Sequence, residues 1–226
     1  MKAIVSQPNL VEQVRDAILE EISTGALPPG ERIIQEQIAQ ALGVSRQPVQ
    51  QALVLLRNQG ILQDAPGRGL LVAQLDPHQV QHMYDIRAVI EGLAARRAAE
   101  LSPEKAAKTG PSLIESGLKA VAAGSVAKMI AADMKLHEFI YDLSGNPLIG
   151  PALESHLTYT QRIMGEVLIR DENPHDIWDQ HEAILLAIAA GKADEAESLV
   201  RSHLTQASGV MVSRLLGKSK AKNKLF

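Results

Sequence analysis

The 226-residue chain contains no cysteine, which excludes a disulfide framework and any thiolate metal site. Aromatic residues make up only 3% of it, with one tryptophan and two phenylalanines. Packing therefore falls to Ala, Leu, Ile and Val within a hydrophobic content of 46%, a palette that favours helices over a β-sandwich. No apolar run approaches the roughly 18 residues of a membrane span, and the start of the chain has no secretion-signal pattern. We expect a cytoplasmic protein with no membrane partner. Strong charge of one sign is missing too: the net charge is −3, so no broad electrostatic footprint for nucleic acid exists. The deficit is uneven, because four arginines face only Glu36 and Asp64 between Arg32 and Leu75, a local balance of +2.

Catalytic signatures are also scarce. HExxH, GxSxG and a glycine-rich phosphate loop do not occur. A di-metal bundle needs paired Glu-x-x-His motifs, yet the only such string, Glu172–His175, is interrupted by Asn173-Pro174. Glu138 and Glu182 each follow a candidate ligand directly and so point about 100° away from it on a helix. A metal-dependent hydrolase thus lacks a general base, and we expect no enzyme.

What is present divides into two regions. In the first, Asn9 is placed to cap a helix carrying Leu10, Val14, Ile18, Leu19 and Ile22 at helical spacing. "TGALPPGERI" ends it through Gly25 and Pro28-Pro29-Gly30. A short helix near Gln35 to Leu42 should present Ile38, Ala39 and Leu42 on one face and stop at Gly43. Ser45 then reads as the cap of a third helix, with Pro48 tolerated in the first turn, Val49, Ala52, Leu53 and Leu56 buried, and Gly60 closing it. "ILQDAPGRGLLVAQL" reads as two short strands around a turn at Pro66–Gly69. Three helices and a hairpin in residues 1–75 make a winged helix-turn-helix. From Asp76-Pro77 the pattern becomes nearly continuous helix, broken at Gly110-Pro111, Gly124, Gly145-Asn146-Pro147, Asn173-Pro174 and Gly191 into about six helices. We expect an all-α helical bundle over residues 76–217. The lysine-rich stretch 218–226 reads as a frayed basic tail, with a nucleic-acid arm as the other reading.

The stretch "LGVSRQPVQQAL" puts hydrogen-bonding side chains on the first turns of the third helix, the part of a helix-turn-helix that faces base edges in the major groove. Arg46 suits guanine O6 and N7, and Gln47 or Gln50 suits adenine. Ser45 and the free N–H groups at the helix start suit phosphate. Arg68, between two glycines at the hairpin tip, suits a minor groove or the backbone. Arg32 completes the candidate contact set. The plainer alternative is a cap and a solvated face.

Four polar residues sit in apolar stripes of the second region. "SVAKMIAADMKLHEFIYDL" runs Val126, Met129, Ile130 and Ile140 at helical spacing, and Asp133 and His137 fall in the same stripe one turn apart. His181 lies among Ile177, Ile184, Leu185 and Ile188, and His203 among Ala196, Leu199, Val200, Ala207 and Val210. An unpaired buried carboxylate is costly, and a divalent cation offsets that cost. One Asp and three His suit zinc, nickel or manganese; histidines hydrogen-bonded within a core are the competing reading. Arg87 is also inward, in register with Val80, Tyr84 and Ile90/Glu91. It is either a clamp for a carboxylate effector or a structural partner of Asp85 or Glu91.

"GVSRQPVQQAL", "LRNQGIL" and "PGRGLLV" together resemble the DNA-binding domain of the GntR family of bacterial transcription regulators. "LDPHQVQHMYDIRAVIEGLAARRAA" resembles the junction and first effector helix of its FadR subfamily, in the branch with an FCD ligand-binding domain. The resemblance implies operator recognition by the positions of Ser45, Arg46, Gln47, Gln50, Arg68 and Gly69. It also implies metal binding through Asp133, His137, His181 and His203. Two departures stand out: the family commonly has Arg at the position of Gln50, and often a basic residue near Glu36. The implied function is a homodimeric regulator, expected to be a repressor, whose affinity for a double-stranded operator is controlled by a small organic acid at a metal site. A regulator with the ion itself as signal shares every motif.

Overall fold

The computed structural model describes residues 10–168 and 175–222, so Asn9, Glu172, the Asn173-Pro174 break and residues 223–226 lie outside the described residues. The chain divides into two compact units between Gln74 and Leu75, whereas the sequence placed the joint at Asp76-Pro77.

In the first unit, α1 (Leu10–Ser23) buries Val14, Ile18, Leu19 and Ile22, the i, i+4, i+8 stripe that helical periodicity requires. Helix α2 (Gln35–Leu42) buries only Ala39, while Leu42 is exposed; eight residues are too short for its expected three-residue face to stay covered. Gly43 adopts φ +64° and ends α2, with Val44 N–H returning to Ala39 O at 3.0 Å, a left-handed terminus that glycine takes without a Cβ clash. Helix α3 (Arg46–Asn58) packs Val49, Ala52, Leu53 and Leu56 against α1. Ser45 holds the N-cap position, but its side chain accepts no capping bond.

The hairpin is β2 (Leu62–Asp64) and β3 (Leu70–Val72), paired with Leu62 opposite Val72 and Asp64 opposite Leu70. A two-residue strand, β1 (Arg32–Ile33), joins the other edge of β3, giving the antiparallel order β1-β3-β2. That strand has no sequence signal, since two residues form no period and only a distant partner defines it.

The second unit holds six helices among the described residues. Helix α4 (Pro77–Leu101) starts at Asp76, whose side chain accepts from His78 N–H at 2.9 Å, with Pro77 at N1 where no donor is missed. Helix α5 (Pro103–Ala122) runs unbroken through Gly110 and Pro111, correcting the expected break. Gly110 is there for proximity: a Cβ would lie 3.3 Å from Leu185 Cδ1. Helices α6 (Val126–Leu143), α7 (Ile149–Leu168), α8 (His175–Ala189) and α9 (Ala193–Lys222) complete the bundle. Helix α9 continues through Lys222, so residues 218–222 are helical where a frayed tail was expected; Lys and Ala are good helix formers. The largest contact is α4 against α9, eased by Ala94, Ala95 and Ala98 on the buried side of α4. No described helix is long and apolar enough to cross a membrane.

Candidate DNA interface and metal centre

Ser45, Arg46, Gln47 and Gln50 are all exposed on the first turns of α3, as are Arg68 and Gly69 at the tip of the hairpin and Arg32 on β1. Arg46 and Gln50 share a face, four residues apart. Gly67 and Gly69 have φ of +91° and +95°, a conformation that lets the tip turn tightly, and Ala65 N–H closes it on Gly69 O at 2.9 Å. The Arg32 guanidinium donates to the carbonyl of Arg68 and lies against Gly69, where a Cβ would stand 3.6 Å away. Gln50 and Gly69 line one groove with Ile33, Gln35 and Leu53. The face therefore offers base-edge donors from α3 and cations from the wing on one continuous surface.

In the second unit α6 supplies Asp133 and His137, α8 supplies His181 and α9 supplies His203, all buried. One ring nitrogen from each histidine lies within 4.8 Å of the others. His181 Nε2 is 3.2 Å from His203 Nε2 and 3.5 Å from Asp133 Oδ1, and His137 Nε2 is 3.9 Å from Asp133 Oδ2. Two nitrogens sharing an ion through bonds of about 2.1 Å stand roughly 3.0–3.4 Å apart, depending on the angle. Glu138 and Glu182 are exposed and take no part.

The far sides of two rings are engaged. His137 Nδ1 lies 2.7 Å from Glu91 Oε2, and His203 Nδ1 lies 2.8 Å from Gln180 Oε1. The Gln180 oxygen accepts from His203 Nδ1 and the Glu91 carboxylate faces His137 Nδ1 as an ion-pair partner, so in the neutral rings the proton is favoured on Nδ1 and the Nε2 lone pair faces the centre. His181 Nδ1 is buried without a hydrogen-bond partner among the described residues. Buried lone pairs converging beside a buried carboxylate fit a divalent cation, with Glu91 and Gln180 as the outer partners that such imidazoles require. The sequence singled out neither as a partner of a histidine. Glu91 entered only as a mate for Arg87, and Gln180 precedes His181 and so points elsewhere on an isolated helix.

Arg87 is 1% exposed. Its Nε donates to Glu91 Oε1 at 2.6 Å and its Nη1 to Thr160 Oγ1 at 3.0 Å, while its guanidinium stacks 4.9 Å over the Tyr84 ring. Of the two mates weighed from the sequence it takes Glu91 rather than Asp85. Burial opposes ionisation of Glu91, but Arg87 and His137 outweigh it and hold the carboxyl well below the usual range. Burial raises the Asp133 pKa against the pull of His137 and Arg87. Burial would depress His137, yet the charge and hydrogen bond of Glu91, with Asp133, raise it. His203 is pushed down to about 3 by burial, with the nearby His137 ring and the Arg87 guanidinium disfavouring a second positive charge there. His181 is driven well below its ordinary value by burial and by its charged neighbours.

Comparison with known proteins agrees with this architecture. Residues 10–72 match the bacterial regulatory proteins of the gntR family, and residues 82–206 match the FCD domain. The chain is 29% identical over 191 residues to the HTH-type transcriptional regulator McbR of Escherichia coli (strain K12), covering 84% of this chain and 85% of McbR. It is 28% identical over 201 residues, 88% of each chain, to a protein of Paenarthrobacter nicotinovorans named "Probable D-xylose utilization operon transcriptional repressor". The solved structure of E. coli McbR/YncC superposes with a TM-score of 0.77 at 25% identity over 93% of this chain and 99% of that one. A GntR transcriptional regulator structure from Rhodococcus sp. RHA1 shares the fold, with a TM-score of 0.73 at 20% identity over 93% of this chain and 99% of that one. These relatives are transcriptional regulators, not enzymes. This chain belongs to the GntR family of DNA-binding transcriptional regulators, in the branch that carries an FCD domain.

Proposed function

We propose that this regulator is a repressor whose affinity for a double-stranded operator is set by a small organic acid bound at a metal site in its FCD domain. The observation that carries the reading is the convergence of His137, His181 and His203 on one buried point, with Asp133 beside two of them at 3.5 and 3.9 Å and with Glu91 and Gln180 behind two of the rings. A zinc, nickel or manganese ion held there would supply a Lewis-acidic anchor for a carboxylate.

The residues of the chain do the rest. Glu91 keeps the proton of His137 on Nδ1, and Gln180 does the same for His203. Arg87, buried and held by Glu91 and Thr160, would offer its positive charge to the carboxylate of the acid. With Glu91 and Asp133 ionised, Arg87 and a divalent ion leave one net positive charge in a buried site, which suits a monoanionic acid. On the DNA side Arg46 reads guanine, Gln47 and Gln50 read neighbouring bases, and Ser45, Arg32, Arg68 and Gly69 meet the backbone or the minor groove. Two copies of the chain bind the two halves of a near-palindromic site. The acid binds the DNA-released form better, so its arrival lowers operator affinity by population shift.

Elemental and native mass analysis of the purified protein tests the site: a stoichiometric divalent metal with a co-purified small acid is expected, and a metal-free protein overturns the reading. Operator titrations with metal alone and with metal plus candidate acids then separate an acid sensor from a protein that senses the ion.

A further inference from the structure

The first turn of α2 grips Arg46 at two points. Gln35 Nε2 donates to the main-chain carbonyl of Arg46 at 2.7 Å, and the Glu36 carboxylate pairs with the Arg46 guanidinium through Nη2. Ser45, the residue before it, makes no side-chain capping bond, so both described side-chain anchors on this stretch are directed at Arg46. We propose that Glu36 is a specificity-determining residue of operator reading. It holds the guanidinium of Arg46 for a guanine edge and keeps it off the phosphates.

The chemistry has two parts. A free arginine on a DNA-facing turn meets phosphate oxygens on any duplex, and such bonds position without informing. A carboxylate on one Nη of the guanidinium leaves the remaining N–H groups to the planar pair of acceptors that guanine alone presents in the major groove. In water an exposed pair of this kind is weak. Water leaves the interface when DNA arrives, the local dielectric falls and the same contact strengthens. The second part is repulsion. The Arg32–Leu75 segment has a balance of only +2, so one carboxylate on the reading face is a large share of its charge. Glu36 therefore weakens binding to every duplex, and the correct base at Arg46 restores what was lost. Discrimination is gained at the expense of affinity. This inference concerns the reading of DNA and holds whatever ligand the second unit takes.

The test uses the full chain. Wild-type protein selects from a pool of duplexes with a randomised core, and the enriched duplex and its single-guanine replacements become the probes. These are titrated with wild type, E36Q, R46A and E36Q/R46A over a salt series, with thermal midpoints as the folding control for exposed positions. E36Q should bind random duplex more tightly, with a salt slope steeper by about one. Its preference for one guanine should fall several-fold, within the roughly 5- to 150-fold that a bidentate arginine–guanine pair provides. In the R46A background the same E36Q change should still tighten random binding yet leave base preference unmoved, because Glu36 acts on bases only through Arg46. An E36Q protein with wild-type guanine preference overturns the proposal, as does a loss of preference that persists without Arg46. A wild-type selection that enriches no motif overturns it as well, together with the assignment of α3 as a sequence reader.

Discussion

A buried imidazole coordinates through whichever nitrogen its other hydrogen bond leaves bare, so the partners behind His137 and His203 decide what the centre can hold. Glu91 stands 2.7 Å behind His137 and is itself fixed by Arg87 at 2.6 Å. Glu91→Gln removes the charge and sets an amide against Arg87. We expect metal affinity to drop about 10- to 100-fold, read by competition with a chromophoric chelator. Unaltered affinity in a folded E91Q protein would show that the ring needs no carboxylate behind it. Trp178 provides an optical report, since it is the chain's one tryptophan and its ring lies 5.0 Å from that of His181. Its seat depends on a single missing methyl: a Cβ on Gly117 would fall 2.0 Å from the indole. Gly117→Ala should therefore cost about 1–3 kcal/mol or more through overpacking, a fall in melting temperature of at least about 2–4 °C per kcal/mol. An unchanged melting curve would mean that α5 and α8 separate freely.

At the scale of elements, α8 and α9 each bring a neutral histidine into a helical core, and this fixes how the metal-free protein responds to acid. His181 and His203 have folded pKa values below the ordinary 6.5. The unfolded chain therefore takes up protons first as pH falls, and the stability these residues contribute is present above about pH 6.5 and lost as pH falls through their folded values, about 3 for His203. His137 has the opposite sign, because its raised value favours the folded state below pH 6.5, but it is one group against two. At pH 5 the neutral His203 represents about 2 kcal/mol of lost stability, and His181 acts in the same direction. Urea midpoints in chelator should fall between pH 7.5 and pH 5, and His203→Gln should flatten that fall; an equal fall in the variant would place the acid response elsewhere. The same elements show what a sequence can and cannot reveal. The stripes around Asp133, His137, His181 and His203 were legible because helical period alone sets which side chains face inward. Glu91 behind His137 was not, since it joins residues on α4 and α6 that only tertiary packing brings together. Pro111 misled for a related reason: a proline signals a helix end locally, yet α5 continues because its neighbours on α6 and α8 hold it. Val210, expected inside the α9 stripe, is exposed, because the buried face runs through Val200, Leu204, Ser208, Met211 and Leu215 and leaves Val210 to one side.

At the scale of the whole molecule, the chain carries one α3 and one wing, a reading surface for a single half-site. Helix α3 has 13 residues, about 20 Å at 1.5 Å per residue, which is enough to lie across one major groove but not two. A local balance of only +2 between Arg32 and Leu75 gives little sequence-independent attraction. On the two-copy reading proposed above, affinity comes from a second copy, whose binding becomes intramolecular once the first half is engaged. Two chains of 24.4 kDa should therefore travel together in light scattering at micromolar concentration. Their footprint on a selected duplex should show two protected segments centred about 10–10.5 base pairs, or a multiple of that, apart. Protection of a single segment by a monomer would remove the two-fold operator from this account and leave affinity to be explained by one reading face alone.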